Sequence, residues 1–181
     1  MTHDIGGFLN AAWEAANAAG EIIRENWQEP KIVDYKGTID LVTTVDGQSE
    51  RTLVDVLRRS FPNHSILAEE EIDLQTAESP YRWIIDPLDG TTNFAHSYPQ
   101  FCVSIALEFA AEIILALVYD PVRRECFRAI QGQGATLNGK TIRCSQVDEI
   151  DKSLLATGFP YDRREHADYY LNFWVFSLAS G

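Results

Sequence analysis

The segment Trp83-Ile84-Ile85-Asp86-Pro87-Leu88-Asp89-Gly90-Thr91-Thr92-Asn93-Phe94 runs an apolar strand straight into Asp-Pro and then Asp-Gly. Asp, Pro and Gly are also the common residues of a turn that ends a strand, and that reading stands beside the chemical one. Pro87 fixes a tight bend, which lets Asp86 and Asp89 face a common centre while Leu88 turns its carbonyl oxygen inward. Two carboxylates and a carbonyl are hard oxygen donors of the kind that Mg²⁺ takes. Gly90-Thr91-Thr92 reads as the start of a short helix, where exposed N–H groups suit an anion. A cation cluster beside an anion cradle is the chemistry of a phosphate-ester site.

Two further acidic segments bear on that chemistry. Glu69, Glu70 and Glu71 follow a strand pattern, as a solvated acidic turn or as carboxylates that complete a metal shell. Asp40-Leu41-Val42-Thr43-Thr44-Val45-Asp46 offers Thr43, Thr44 or Asp46 as a helix N-cap, a role compatible with a chemical one for Asp46. His3, His64, His96 and His166 have no ligand spacing, and Trp13, Trp27 and Trp174 read as core or interface residues.

These segments need elements to position them. Phe8, Ala11, Ala12, Ala15, Ala19, Ile22 and Ile23 recur at helical spacing, so residues 5–28 read as a helix with Asp4 as N-cap and Pro30 past its end. A second helix is expected over about residues 47–60, with Leu53, Val54, Leu57 and Phe61 on its apolar face. Between them, residues 36–40 read as a loop or hairpin tip. Residues 65–68, 82–85, 101–108, 112–119 and 125–130 are short, apolar and rich in Ile, Val, Leu and aromatics, the signature of strands. Asn138-Gly139 is a hairpin signal, and strands so close in sequence are expected to be antiparallel. Residues 153–157 read as one more strand, and residues 164–179 as a helix with Tyr169, Phe173 and Phe176 on one face. The expected fold class is α+β, with residues 1–145 forming a metal- and phosphate-binding domain and residues 146–181 the start of a second, truncated α/β domain.

Composition narrows the function classes. A net charge of −12 repels nucleic-acid backbones and anionic membranes, so neither a nucleic acid nor a membrane is an expected partner. The same charge repels a phosphorylated metabolite, so bound divalent cations have to reverse the sign locally. Cys102, Cys126 and Cys144 are odd in number and widely spaced, which speaks against a disulfide framework and fits a reducing compartment. The N-terminus lacks a basic region followed by an apolar run, and the longest apolar stretch, residues 113–119, is too short to span a bilayer. A soluble cytoplasmic protein is the expectation.

Asp40 to Asp46, the Glu69-Glu70 pair and Asp86 to Phe94 resemble, in order and spacing, the three N-terminal signatures of the inositol monophosphatase family, a Mg²⁺-dependent and often lithium-sensitive group. The stretch around Asp86 to Phe94 is the most specific of the three. Gly132-Gln133-Gly134-Ala135 and residues 156–161 also look familial. The resemblance implies the family's layered sandwich, with N-terminal helices packed on an antiparallel sheet. It also implies that Glu69, Asp86, Asp89 and the Leu88 carbonyl hold two or three Mg²⁺ ions, and that Gly90 and Thr91 N–H groups bind phosphate. Thr91 paired with Asp46 would orient and help deprotonate the attacking water, Glu70 would support that water, and Lys36 would lie in a mobile loop by the site. The implied reaction is in-line hydrolysis by a metal-activated water, with a small phosphorylated metabolite, foremost inositol 1-phosphate, as substrate. The implied assembly is a homodimer. Relatives that act on fructose bisphosphate, histidinol phosphate or phosphoadenosine phosphates share the same motifs.

The match departs from the family pattern late in the chain. A Trp-Asp signature in the family's second half has no counterpart, since Trp174 is followed by Val175. The expectation is therefore a chain cut short at its C-terminus with an incomplete metal set. That leaves a second function class open: an inactive fragment or a regulatory binding protein, as some bacterial relatives are associated with RNA and transcription complexes.

Overall fold

The computed structural model describes residues 3–29, 33–36, 40–69, 73–74, 79–154, 156, 158 and 161–172. They group into two compact units, Met1–Ile142 and Arg143–Gly181.

The first unit opens with α1 (Ile5–Asn26), and Asp4 caps it by accepting a hydrogen bond from the Gly7 N–H at 3.0 Å. Phe8, Ala11, Ala12, Ala15, Ala16, Ala19 and Ile23 form its buried face. Strands β1 (Val33–Lys36) and β2 (Asp40–Thr43) pair antiparallel, with Lys36 opposite Asp40, as the hairpin-tip reading of this segment requires. β2 passes directly into α2 (Thr44–Ser60), which starts three residues before the expected Gly47. Asp46 thereby falls in the first turn of α2, where a carboxylate complements the helix dipole. Leu53, Val54, Val56 and Leu57 bury its inner face.

The remaining strands are β3 (Ser65–Ala68), β4 (Asp73–Leu74), β5 (Tyr81–Asp89), β6 (Cys102–Phe109), β7 (Glu112–Asp120), β8 (Glu125–Ile130), β9 (Gly134–Leu137) and β10 (Lys140–Ile142), with the single-turn helix α3 (Thr91–Ala95) after β5. They form one eight-stranded sheet in the order β10-β9-β8-β7-β6-β5-β3-β4. From β5 to β10 each strand pairs antiparallel with the next. One pair breaks the expected pattern: β3 and β5 run parallel, with Ser65 opposite Arg82. The segment between them carries β4, which pairs antiparallel with β3, so the chain enters β5 in the direction of β3. The β9–β10 turn is Asn138-Gly139, both with positive φ (49° and 79°), the conformation a two-residue hairpin needs.

Alternation along the strands sends one face into the core. Trp83, Ile85, Val103, Ile105, Leu107, Leu115, Leu117 and Tyr119 join the buried residues of α1 and α2 in a single apolar cluster. Trp13 meets Tyr119 edge-on at 5.1 Å and Trp27 lies 6.3 Å from Phe101, the packing roles expected for both. The opposite face carries small and polar residues, Ser104 and Ala106 among them. The site grows from the end of that face.

In the second unit, Ile150–Lys152 and Tyr161–Arg164 are 3-10 turns, and residues 167–172 are helical. The expected strand over residues 153–157 does not form at the residues described there. Ser153 instead donates from its hydroxyl to the Glu149 carbonyl at 2.8 Å and closes the 3-10 turn, and no described residue of this unit offers a strand to pair with. Residues 173–179 of the expected last helix, with Phe173, Trp174 and Phe176, lie outside the described residues.

Candidate active site

The chemistry-bearing segment is shaped by a bulge. β5 pairs with β6 residue for residue up to Asp86 opposite Ser104, and then Asp89 stands opposite Cys102. Pro87 and Leu88 together face the single residue Val103, so β5 carries one extra residue. The bulge accommodates Pro87, which has no N–H to give to a ladder. Asp86 closes it, accepting from the Leu88 N–H at 3.0 Å through Oδ1. The strand therefore continues to Asp89 rather than ending in a turn at Ile85, and the bend lies within it. Beyond Asp89 the chain turns at Gly90, in a left-handed conformation (φ 97°, ψ 33°), into α3. Thr91 reaches back, its hydroxyl donating to the Leu88 carbonyl at 3.1 Å.

Negative charge is crowded here. The Asp86 carboxyl is pushed up to about 8, first by burial and then by the charges of Glu69 and Asp89, against a smaller opposing effect from the Leu88 N–H. Cys102 feels the same field. Burial, then Asp89 and Asp86, push its thiol up to about 12, and its Sγ lies 3.8 Å from Asp89 Oδ2. Carboxylates forced together without a cation are what a divalent ion would relieve, and the available donors are all hard oxygens, so they fit Mg²⁺. Among the described residues no three His, Cys, Asp or Glu side chains converge as a complete metal cage. Two open clefts adjoin the cluster. One of about 380 Å³ is lined by Glu69, Asp86 and Ser104, and one of about 520 Å³ by Asp89, Gly90, Asn93 and Cys102.

The sequence model of the inositol monophosphatase family matches residues 6–172. The chain belongs to this family. It is 44% identical over 166 residues to the Nus factor SuhB of Escherichia coli K12, covering 91% of this chain and 62% of that protein. It is 46% identical over 166 residues to the inositol-1-monophosphatase of Synechocystis, covering 91% of this chain and 58% of that protein. The chain thus spans about three fifths of the length of these relatives. Among solved structures, the extragenic suppressor protein suhB of Bartonella henselae superposes with a TM-score of 0.91 at 33% identity, over 96% of this chain and 67% of that one. An IMPase/NADP phosphatase solved with Mg²⁺ and phosphate matches with a TM-score of 0.63 at 31% identity, over 74% of this chain and 50% of that one.

The fold brings together part of the set that the family resemblance names. Glu69 follows the end of β3 beside Asp86, and β5 runs on past that point with Leu88 in the bulge and Asp89 just beyond it, both carboxylates acting on Asp86. Gly90 and Thr91 follow at the start of α3. Asp46 is buried in the first turn of α2, 3% exposed. Lys36 ends β1, and its side chain, like all of Glu70, lies outside the described residues. Two neighbours of the site were not among the candidates. The sequence offers Cys102 only as one of three scattered cysteines, yet its pairing opposite Asp89 places it beside that carboxylate. Asn93 carries no role that the motif alone reveals, because its side chain bonds to Gln100, seven residues on in the loop after α3.

Proposed function

We propose that this chain carries the metal- and phosphate-binding half of a Mg²⁺-dependent hydrolase for small phosphate monoesters, with inositol 1-phosphate the foremost substrate. The observation that supports it most is the bulged strand end, where burial, and after it the charges of Glu69 and Asp89, raise the Asp86 carboxyl to about 8. Bound divalent ions, two or three in this reading, would supply Lewis-acid charge and an acidified water. The chain's own groups do the rest. Glu69, Asp86, Asp89 and the Leu88 carbonyl hold the ions. The Thr91 hydroxyl, paired with Asp46 as the acceptor of the proton, would orient the water and help deprotonate it once released from the Leu88 carbonyl, with Glu70 in support. Gly90 and Thr91 present N–H groups to the phosphate. Lys36, the last residue of β1, would lead into a loop at the rim, and the second unit would begin a further α/β domain. A homodimer, a reducing cytoplasmic setting and lithium sensitivity complete the proposal.

A second reading, a regulatory binding protein, draws on the 44% identity to a protein named as a Nus factor. Turnover separates the two. Phosphate release from inositol 1-phosphate is measured with and without Mg²⁺ on this chain and on Asp89→Asn. The phosphatase reading expects Mg²⁺-dependent release that falls at least ~100-fold in the variant. Release that ignores Mg²⁺ or the substitution overturns it, and no release from the unsubstituted chain leaves an inactive fragment or a binding protein.

A further inference from the structure

We propose that Asn93 is a positioning residue: its carboxamide holds the Gln100 carbonyl against Gly90 and so fixes the backbone between Asp89 and Thr91. The inference rests on the phosphatase reading above for its catalytic consequence, and on geometry alone for the contact.

Gly90 is the one residue that separates the metal-ligand candidate Asp89 from Thr91. Its φ of 97° lies in the left-handed region, and with no Cβ it has several other basins open to it. Something outside the residue has to choose. A Cβ placed on Gly90 would stand 2.8 Å from the Gln100 carbonyl oxygen and 3.1 Å from Phe101 Cα, so that backbone is packed directly on the Gly90 Cα. The same Gln100 oxygen accepts a 2.7 Å hydrogen bond from Asn93 Nδ2. Asn93 also holds the loop by its main chain, its carbonyl accepting from the Tyr98 N–H at 2.8 Å. Gly90 is gripped from the other side as well, its carbonyl accepting from the Phe94 N–H at 3.0 Å. The loop is anchored at its far end, where Arg123 donates to Gln100 Oε1 at 3.2 Å and to the Asp120 carboxylate. A clamp thus runs from Asp120 through Arg123, Gln100 and Asn93 to Gly90.

The side chain is required because the loop has no strand partner where it crosses Gly90. Without the amide donor the Gln100 carbonyl can turn to solvent, the wall against Gly90 withdraws, and the glycine regains its other basins. The Asp89 carboxylate and the Thr91 hydroxyl then lose their fixed separation. Misplacement of reacting groups by about 1 Å costs about 100-fold in rate.

The test uses the whole chain with Asn93→Ala and Asn93→Asp, the second being isosteric but unable to donate. The first readout needs no activity: ¹⁵N relaxation of the Gly90 amide in metal-free protein, expected to show a clear fall in order in both variants. The second is kinetic. We expect kcat to fall about 10- to 100-fold and the inhibition constant of inorganic phosphate to rise at least ~5-fold, with half-saturating Mg²⁺ unchanged and the melting temperature within about 4 °C. A Gly90 amide as ordered in both variants as in the parent overturns the proposal, as does unfolding of both, which would make the contact a folding one. If the parent chain releases no phosphate, the phosphatase reading fails. The clamp is then judged on Gly90 order alone, with loosened order sustaining it and unchanged order ending it.

Discussion

Replacing Asp86 by Asn should stabilise the metal-free protein at alkaline pH and do almost nothing at pH 4. The fold raises the Asp86 carboxyl from 3.8 to about 8, chiefly by burial and by Glu69 and Asp89. A raised acid is favoured in the folded state when protonated. Its contribution is therefore fully present below 3.8 and lost as pH rises towards 8. The whole gap is worth roughly 5–6 kcal/mol at about 1.36 kcal/mol for each tenfold step. Asp86 keeps partial contact with solvent, which screens its neighbours, so about 2–3 kcal/mol is the working figure. Asn keeps the oxygen that accepts from the Leu88 N–H, so the bulge survives the substitution. Thermal unfolding after chelation, followed by circular dichroism from pH 4 to pH 9, should show the variant melting about 5–10 °C above the parent near pH 8.5. Near pH 4 the two should agree within about 2 °C. Saturating Mg²⁺ should reverse the order, since only the parent gains from ligand binding. A variant no more stable than the parent at pH 8.5 without metal would refute the reasoning, and so would an equal gain at pH 4, which would trace to packing rather than charge.

Two further predictions concern a turn and the cysteines. The β6–β7 turn is made by Ala110 and Ala111 at φ 50° and 69°, a conformation that costs a residue with a Cβ about 1–2 kcal/mol. Ala111→Gly should therefore raise the urea midpoint by the equivalent of about 0.5–1 kcal/mol with an unchanged slope, and a lowered midpoint would show that the turn is not strained. Cys144 is exposed, Cys126 is buried, and the Cys102 thiol is pushed up to about 12. Iodoacetamide at pH 7.5 should thus modify Cys144 well before the other two, as read by peptide mass spectrometry. Labelling of Cys102 at a comparable rate would contradict the field assigned to Asp89 and Asp86.

Most of the fold was legible because its signals are local. The helical period of Phe8 to Ile23, the apolar strands from Ile66 to Ile130 and the Asn138-Gly139 turn each carry their own structure in a short window. The parallel pairing of β3 with β5 was not legible. It depends on β4, a two-residue strand with no periodicity to read. The strand expected near residue 153 shows the converse limit. An apolar stretch has strand character only where another strand completes its hydrogen bonds, and the described residues of the second unit supply none.

The candidate site divides along the same line. Asp86, Leu88, Asp89, Gly90 and Thr91 are consecutive or nearly so, and Pro87 between the two aspartates announces a bend, so their convergence can be read from spacing. What spacing does not reveal is the mechanism of the bend. A turn would have taken Asp89 away from the sheet, whereas a bulge keeps it paired opposite Cys102, just beyond Asp86, which stands next to the end of β3 and Glu69. The crowding that raises Asp86 follows from that difference, because it needs Glu69 and Asp89 on the same side as Asp86 at once. The hold on Gly90 is further still from sequence. Gln100 lies ten residues on, in a loop without regular structure, and only the fold shows that its carbonyl meets both Asn93 and the glycine. Residue types at short spacing thus identify which groups can do chemistry, while the contacts that keep those groups in place come from chain segments whose own sequences carry no chemical signal.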